Sequence, residues 1–207
     1  AFEKQKNGDY KGALTAYNKS IALDSTASGS YYNRAIVKFF LKDYKGAILD
    51  FTSSIKLNPK DNTAYYNRAD VKAVLMDYKG AIEDCNKALK IVPTDYKTYF
   101  NRGLYYSKIS DFKNAIADYN KTIDLSPKFI PAYRQRGVAN SMLKNYENSL
   151  KDFDIVISYY YGKVEGVDDN NTNNKSGDYF NRAIAKLNLG DSIGACKDAE
   201  IAEELGY

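Results

Sequence analysis

Histidine is absent from this chain of 207 residues, and cysteine occurs only twice. Without imidazole there is no histidine-based triad, no histidine-ligated zinc and no imidazole acid–base chemistry near neutral pH. No apolar run approaches the roughly 20 residues that a membrane-spanning helix requires. No secretory signal is visible in the opening residues. Neither charge is in large excess: 30 basic and 26 acidic residues leave +4, with both signs interspersed. Nucleic-acid binding calls for a clustered basic face, so it is not expected. Hydrophobic residues make up 44% of the chain, enough to build a core.

What is present is a repeat. The string Asp-Tyr-Lys-Gly-Ala begins at Asp9, Asp43 and Asp77, and returns in altered form at Asp111 and Asn145, each step being 34 residues. A sixth copy starts at Asp191, 46 residues on, so 12 residues have been inserted. A strict period of this length means one supersecondary unit stacked on copies of itself. It points away from catalysis. Cys85 and Cys196 fall in helical stretches three units apart. A disulfide needs Cα atoms within about 7 Å, so both read as reduced core residues.

Residues 28–61 show what one unit is. From Tyr31 to Leu41 there is no helix breaker, and from Tyr44 to Leu57 the apolar positions Ala47, Ile48, Phe51, Ile55 and Leu57 follow helical spacing. Asp43 stands at the junction, where a short carboxylate can cap the second helix. Asn58-Pro59 ends it, as Pro93 and Pro127 do in later units, because proline lacks an amide hydrogen and disfavours helix in the residue before it. Each unit therefore reads as two antiparallel helices of about 14 residues, roughly 20 Å long. Small residues recur on the first helix (Ala35, Ala69, Gly103, Gly137, Ala183) and on the second (Ala13, Ala47, Ala81, Ala115, Ser149, Ala195). Large ones fill the space around them at Tyr17, Phe51, Tyr119 and Phe153, with Cys85 and Ala199 as small variants.

The unit resembles the tetratricopeptide repeat. The 34-residue length, the early aromatic (Tyr31, Tyr65, Tyr99, Tyr133, Tyr179), the Ala or Gly four residues later, the aromatic after the Asp and the closing proline all match it. Tyrosine replaces the usual tryptophan, Arg34, Arg68, Arg102, Arg136 and Arg182 stand where leucine is common, and the last unit has Ser192 in the aromatic slot. The resemblance implies an all-α fold, an α-α superhelix or right-handed solenoid of antiparallel helical hairpins. It would hold five full repeats plus a partial N-terminal one: 1–27, 28–61, 62–95, 96–129, 130–175 with an inserted loop at about 161–175, and 176–207.

Each of those arginines has an aspartate 16 residues later: Asp50, Asp84, Asp118, Asp152 and Asp198. Each also adjoins a small core residue. The incomplete first unit lacks the arginine position and has Ala16 in the aspartate slot. The pattern predicts a partly buried ion pair between the two helices of a unit.

In this family the first helices line the concave inner wall. Asn33, Asn67, Asn101, Gln135 and Asn181 precede the arginines, and resemble the asparagine ladder with which some tetratricopeptide superhelices hold an extended peptide. A carboxamide offers both the donor and the acceptor that a peptide backbone needs. The residues before them, Tyr32, Tyr66, Phe100, Arg134 and Phe180, form an aromatic strip with one cation. The alternative is that the amides satisfy groups between neighbouring units and the aromatics are core. The carboxylate clamp for chaperone tails does not fit. Its Lys and Asn positions hold Tyr32 with Ile36, Tyr66 with Asp70, or Phe100 with Leu104, and Lys97 stands alone.

From Tyr161 to Gly177 the chain is polar and is expected to be a mobile loop. Asp168-Asp169-Asn170-Asn171 lacks the glycine and closing glutamate of a calcium loop, so no metal is expected. Asn170-Asn171-Thr172 and Asn174-Lys175-Ser176 are formal glycosylation sequons, as are Asn18-Lys19-Ser20 and Asn120-Lys121-Thr122 within predicted helices. The chain opens inside a repeat, so apolar surface near Leu14, Tyr17 and Ile21 is expected to be partly uncovered. That suggests a fragment, or end-to-end self-association. The resemblance implies a non-catalytic scaffold for a protein or peptide partner in the cytoplasm or periplasm, with no cofactor, nucleic acid or membrane. The alternative is a regulatory or substrate-recruiting array of a larger enzyme or assembly complex.

Overall fold

The structure is a computed structural model that describes residues 1–161 and 172–207. Among the described residues it holds twelve helices and no strand. The all-α fold of paired helices is the one expected from the period. Two compact units are formed, residues 1–105 and 106–207.

The first unit contains α1 (Phe2–Lys6), α2 (Tyr10–Leu23), α3 (Ser28–Phe40), α4 (Tyr44–Leu57), α5 (Asn62–Val74), α6 (Tyr78–Ile91) and residues 96–105 of α7 (Tyr96–Lys108). The second contains the end of α7, then α8 (Phe112–Leu125), α9 (Ile130–Met142), α10 (Tyr146–Tyr161), α11 (Thr172–Asn188) and α12 (Ser192–Glu204). Within the first unit α3 packs on α4 and α5 on α6, and within the second α9 packs on α10 and α11 on α12. α4, α6 and α8 stop one residue before the X-Pro steps at Pro59, Pro93 and Pro127.

The Asp-Tyr-Lys-Gly string is a helix-start device. Asp9, Asp43, Asp77, Asp111 and Asp191 accept the backbone N–H three residues on, at 2.9–3.3 Å. This satisfies one of the amides that a helix start leaves unpaired. A Cβ at Gly12, Gly46, Gly80 or Gly194 would lie 2.1–2.2 Å from the capping carboxylate in its present rotamer. The residue before each cap is left-handed, with φ 61–63° at Lys42, Met76, Ser110 and Lys144 and 79–90° at Gly8 and Gly190.

The small and large registers are buried as expected. Ala13, Ala35, Ala47, Ala69, Ala81 and Ala115 are fully buried, and so in effect are Phe51, Cys85, Tyr119 and Phe153. Gly137 has no room to spare, since a Cβ there would come within 3.0 Å of the Phe153 ring. Three expectations are corrected. Cys196 is exposed, while Cys85 is buried. Ala199 is exposed on α12. Tyr17 is buried, because α1 reaches it and Gln5 accepts its hydroxyl at 3.1 Å. In addition, α11 starts at Thr172, so residues 172–177 are helical rather than loop. The Asp168–Asn171 stretch considered for calcium and the first sequon asparagine lie outside the described residues.

The arginine–aspartate pairing is present and is a larger network than the 16-residue spacing implied. Arg34, Arg68, Arg136 and Arg182 each donate Nε and Nη2 to the two oxygens of Asp50, Asp84, Asp152 and Asp198, at 2.6–3.0 Å. Arg102 belongs to the first unit and Asp118 to the second. Lys38, Lys72 and Lys186, four residues after their arginines, add a second cation to Asp50, Asp84 and Asp198 at 2.8 Å. The remaining Nη1 reaches the second helix of the preceding hairpin: Asn18, Thr52, Asn86, Asn120 and Asp154 accept from Arg34, Arg68, Arg102, Arg136 and Arg182 at 2.6–2.9 Å. Each guanidinium also lies 5.3–5.7 Å from the ring of the tyrosine three residues before it. One arginine thus ties three helices together.

Candidate functional site

Successive residues on a helix point about 100° apart. With Arg34, Arg68 and Arg102 engaged with second helices, the amides and aromatics just before them turn toward the neighbouring first helices. In the first unit α3, α5 and α7 are linked there. Asn67 on α5 donates its amide to the Tyr32 hydroxyl on α3 at 2.7 Å. Asn101 on α7 repeats the contact with Tyr66 on α5 at 2.9 Å. Asn33 instead donates to the Gly29 carbonyl of its own helix at 2.9 Å. Tyr32 also meets the buried Phe51 ring edge-on, with centroids 5.7 Å apart. Phe100 is half-buried.

The second unit treats the same register differently. Arg134 on α9 makes a two-pronged pair with Asp178 of α11 at 2.7 Å, and lies 5.3 Å from the Tyr160 ring. Asp178 is 2% exposed. Phe180 is stacked under Tyr207 with centroids 4.1 Å apart. Asn181 donates to the Gly177 carbonyl at 2.7 Å. Gln135 is half-buried on α9.

The two Asn–Tyr pairs leave complementary groups. A phenol that accepts one hydrogen bond still carries its own O–H, and a carboxamide that donates still carries its C=O. Among the described residues nothing takes the hydroxyl hydrogens of Tyr32 and Tyr66 or bonds the Oδ1 of Asn67 and Asn101. Donor and acceptor therefore alternate along α3, α5 and α7.

Two residues missed by the ladder complete this face. Asp70 on α5 accepts from Asn101 at 3.0 Å and from the Tyr105 hydroxyl at 2.5 Å, both at Oδ1. Burial pushes the Asp70 carboxyl above its ordinary range, against those two hydrogen bonds. Burial and the Asp70 charge push Tyr105 upward too, and burial with Asp70 and Asp95 takes Tyr66 to about 12. A signal was available. The register of Asp70 is otherwise aliphatic at Ile36, Leu104, Val138 and Ile184, and that of Tyr105 is otherwise Val37, Val71, Ala139 and Ala185. Asp70 and Asn67 sit at the edge of a 210 Å³ cavity whose other walls are Ile36, Phe39, Phe40, Phe51 and Val71. Among the described residues no group of three or more potential metal ligands converges, and no helix is long and apolar enough to cross a membrane.

Residues 32–96 match one model of the tetratricopeptide repeat and residues 96–129 match another. No curated protein matches the chain by sequence. Among solved structures, MamA is similar at 24% identity and TM-score 0.73, over 75% of this chain and 91% of that one. YrrB, described as a TPR protein with an unusual peptide-binding site, is 18% identical with TM-score 0.77, over 92% of each chain. PilF of Pseudomonas aeruginosa is 12% identical with TM-score 0.75, over 99% of this chain and 88% of its own. At these identities the likeness is one of fold.

Proposed function

The chain belongs to the tetratricopeptide repeat family, whose fold serves in general as a non-catalytic scaffold for protein partners, and on that footing we propose that it holds an extended segment of a partner along its first helices. The observation that carries this reading is the alternation of free Tyr hydroxyl hydrogens and free Asn carbonyls along α3, α5 and α7. A peptide backbone presents C=O and N–H in alternation, so it can accept from Tyr32 and Tyr66 and donate to Asn67 and Asn101. Backbone contacts of this kind give affinity with little demand on side-chain sequence. Asn33, Phe100 and, in the second unit, Gln135, Asn181, Arg134 and Phe180 continue the register. Arg134 and Phe180 are engaged by Asp178 and Tyr207, which leaves the first unit as the principal site. The peptide-binding description of YrrB is in keeping with this reading.

The test is selection of a random peptide library on the purified protein, followed by fluorescence anisotropy of the enriched peptides. Asn67→Ala with Asn101→Ala is expected to weaken binding about tenfold or more. Undiminished affinity in the double variant would overturn the assignment.

A further inference from the structure

A carboxylate drawn out of water gains from a cation, because its desolvation is otherwise uncompensated. The fully buried carboxylates of the first-unit hairpins have cations: Asp50 has Arg34 and Lys38, and Asp84 has Arg68 and Lys72. Asp70 is half-buried, and unlike the half-buried Asp61 and Asp95 at helix starts it stands within a helix and borders a cavity. Among the described residues no Lys or Arg pairs with it, and both its hydrogen bonds fall on Oδ1, from Tyr105 and Asn101. These neutral donors fix its orientation and leave Oδ2 unbonded. The cavity it borders is 210 Å³, about seven times the ~30 Å³ share of one liquid water. Its apolar lining is Ile36, Phe39, Phe40, Phe51 and Val71.

Resting on the peptide-holding reading above, we propose that this cavity between α3, α4 and α5 takes one basic side chain, lysine or arginine, of the bound segment, with its cation on Asp70. Charge complementarity selects the occupant. The methylene stem of a basic side chain packs on apolar walls while its head meets the unpaired oxygen. An apolar side chain would fill the walls but leave the carboxylate buried and unpaired, which costs more than it gains. The position lies one helical turn from the Asn67 amide on α5, so a backbone held at Asn67 brings a neighbouring side chain to the cavity.

The test is a positional-scanning library of extended peptides, read against the wild-type chain and Asp70→Asn. Lys or Arg is expected to be enriched at one position on the wild type, and that enrichment is expected to vanish in Asp70→Asn while peptides still bind. Replacing the enriched lysine by Nε-acetyl-lysine, which needs no variant, is expected to weaken binding about tenfold. Peptides bound without a basic preference, or an acetylated peptide bound equally well, overturn this inference and leave the peptide-holding reading intact. No peptide bound at all overturns both.

Discussion

Arg68 grips Asp84 with both edges of its guanidinium fork, Nε to Oδ2 at 2.8 Å and Nη2 to Oδ1 at 2.6 Å. The aspartate is nearly sealed, with its side chain 4% exposed against 15% for the arginine, and Lys72 holds it from the other side at 2.8 Å. The two partners are therefore not equivalent. Removing Arg68 leaves Asp84 paired with Lys72, whereas removing Asp84 strands two cations. Asp84→Ala is expected to cost about 3–5 kcal/mol and Arg68→Ala less. The double change Arg68→Met with Asp84→Leu is expected to cost less than Asp84→Ala, because it strands one cation instead of two: only Lys72 loses its carboxylate, and its ammonium keeps the Gly80 carbonyl at 3.2 Å. Urea denaturation of the three variants checks the order, and a double variant worse than both singles would remove the argument.

The fourth full hairpin lacks the lysine. Asn140 stands in its place and donates weakly to Asp152 at 3.5 Å. The consequence is visible in the two carboxyls. Burial raises both, but at Asp198 the hydrogen bonds and charges of Arg182 and Lys186 overcome it and the carboxyl ends below its ordinary value. At Asp152, with Arg136 as its cation, burial wins and the carboxyl ends above it. The signs follow by linkage. Asp198 contributes stability above its unfolded pKa that is lost as pH falls through the lower folded one. The contribution of Asp152 is present at low pH and lost as pH rises through its raised folded pKa. A 240 Å³ cavity lined by Asn140, Asn148 and Asp152 has room for the missing side chain. Asn140→Lys is expected to add about 1–2 kcal/mol at pH 7, a gain that shrinks as pH falls and Asp152 takes up its proton. Asn140→Met fills the space without the charge, and an equal gain from it would deny the electrostatic cause.

Ser149 occupies a register that is alanine at Ala13, Ala47, Ala81, Ala115 and Ala195, and its buried Oγ has no hydrogen-bond partner among the described residues. Ser149→Ala removes the orphaned hydroxyl at little change of volume. It is expected to raise stability by about 1–2 kcal/mol, measured as a higher midpoint in urea with an unchanged slope. A lower midpoint would mean that the hydroxyl has a partner in solution.

These features differ in how far they can be read without coordinates. The hairpins, the Asp43-type caps and the Arg–Asp pairs are legible because each recurs in register, and five or six copies of a weak signal make a strong one. The third bond of each arginine was equally periodic, at Asn18, Thr52, Asn86, Asn120 and Asp154. It is hard to read from sequence because the acceptors vary in type while sharing only an oxygen. The Asn67–Tyr32 contact joins residues 35 apart. It is one residue off the period, so a comparison of like positions does not find it. Asp70 was hidden for the opposite reason: it occurs once. Periodicity averages away the departures on which specificity depends, and the cavity beside Asp70 exists only where one aliphatic register turned acidic.

The left-handed residue before each cap offers a backbone test. Met76 holds φ 62° and is 77% exposed, so its side chain contributes little packing. A non-glycine residue pays about 1–2 kcal/mol to stay left-handed. Gly8 and Gly190 fill the equivalent place without that strain. Met76→Gly is expected to raise stability by about 0.5–1 kcal/mol after the entropy of the more flexible unfolded chain is subtracted. Gly190→Ala is expected to lower it by a similar amount. Thermal unfolding of both decides the matter, since opposite signs are required.

Asp70 is expected to cost the fold stability for as long as it is ionised. Its carboxyl is raised by burial, and the titratable groups that face it, Tyr66 and Tyr105, are themselves pushed upward and so stay neutral at pH 7. No charge on α3, α5 or α7 offsets it among the described residues. By linkage, a group whose folded pKa is raised supports the fold at low pH and ceases to do so as pH rises through that pKa. Asp70→Asn keeps the acceptor for Tyr105 and Asn101 and removes the charge. The variant is therefore expected to be more stable than the wild type at pH 7, with the gap closing as pH falls below ~3.9, where the unfolded carboxyl is protonated as well. A gap that stays constant from pH 7 to pH 3 would locate the cost outside the ionised carboxylate. A charge kept at the expense of the fold is what a binding group looks like. The same substitution that stabilises the chain is the one expected to abolish its preference for a basic side chain.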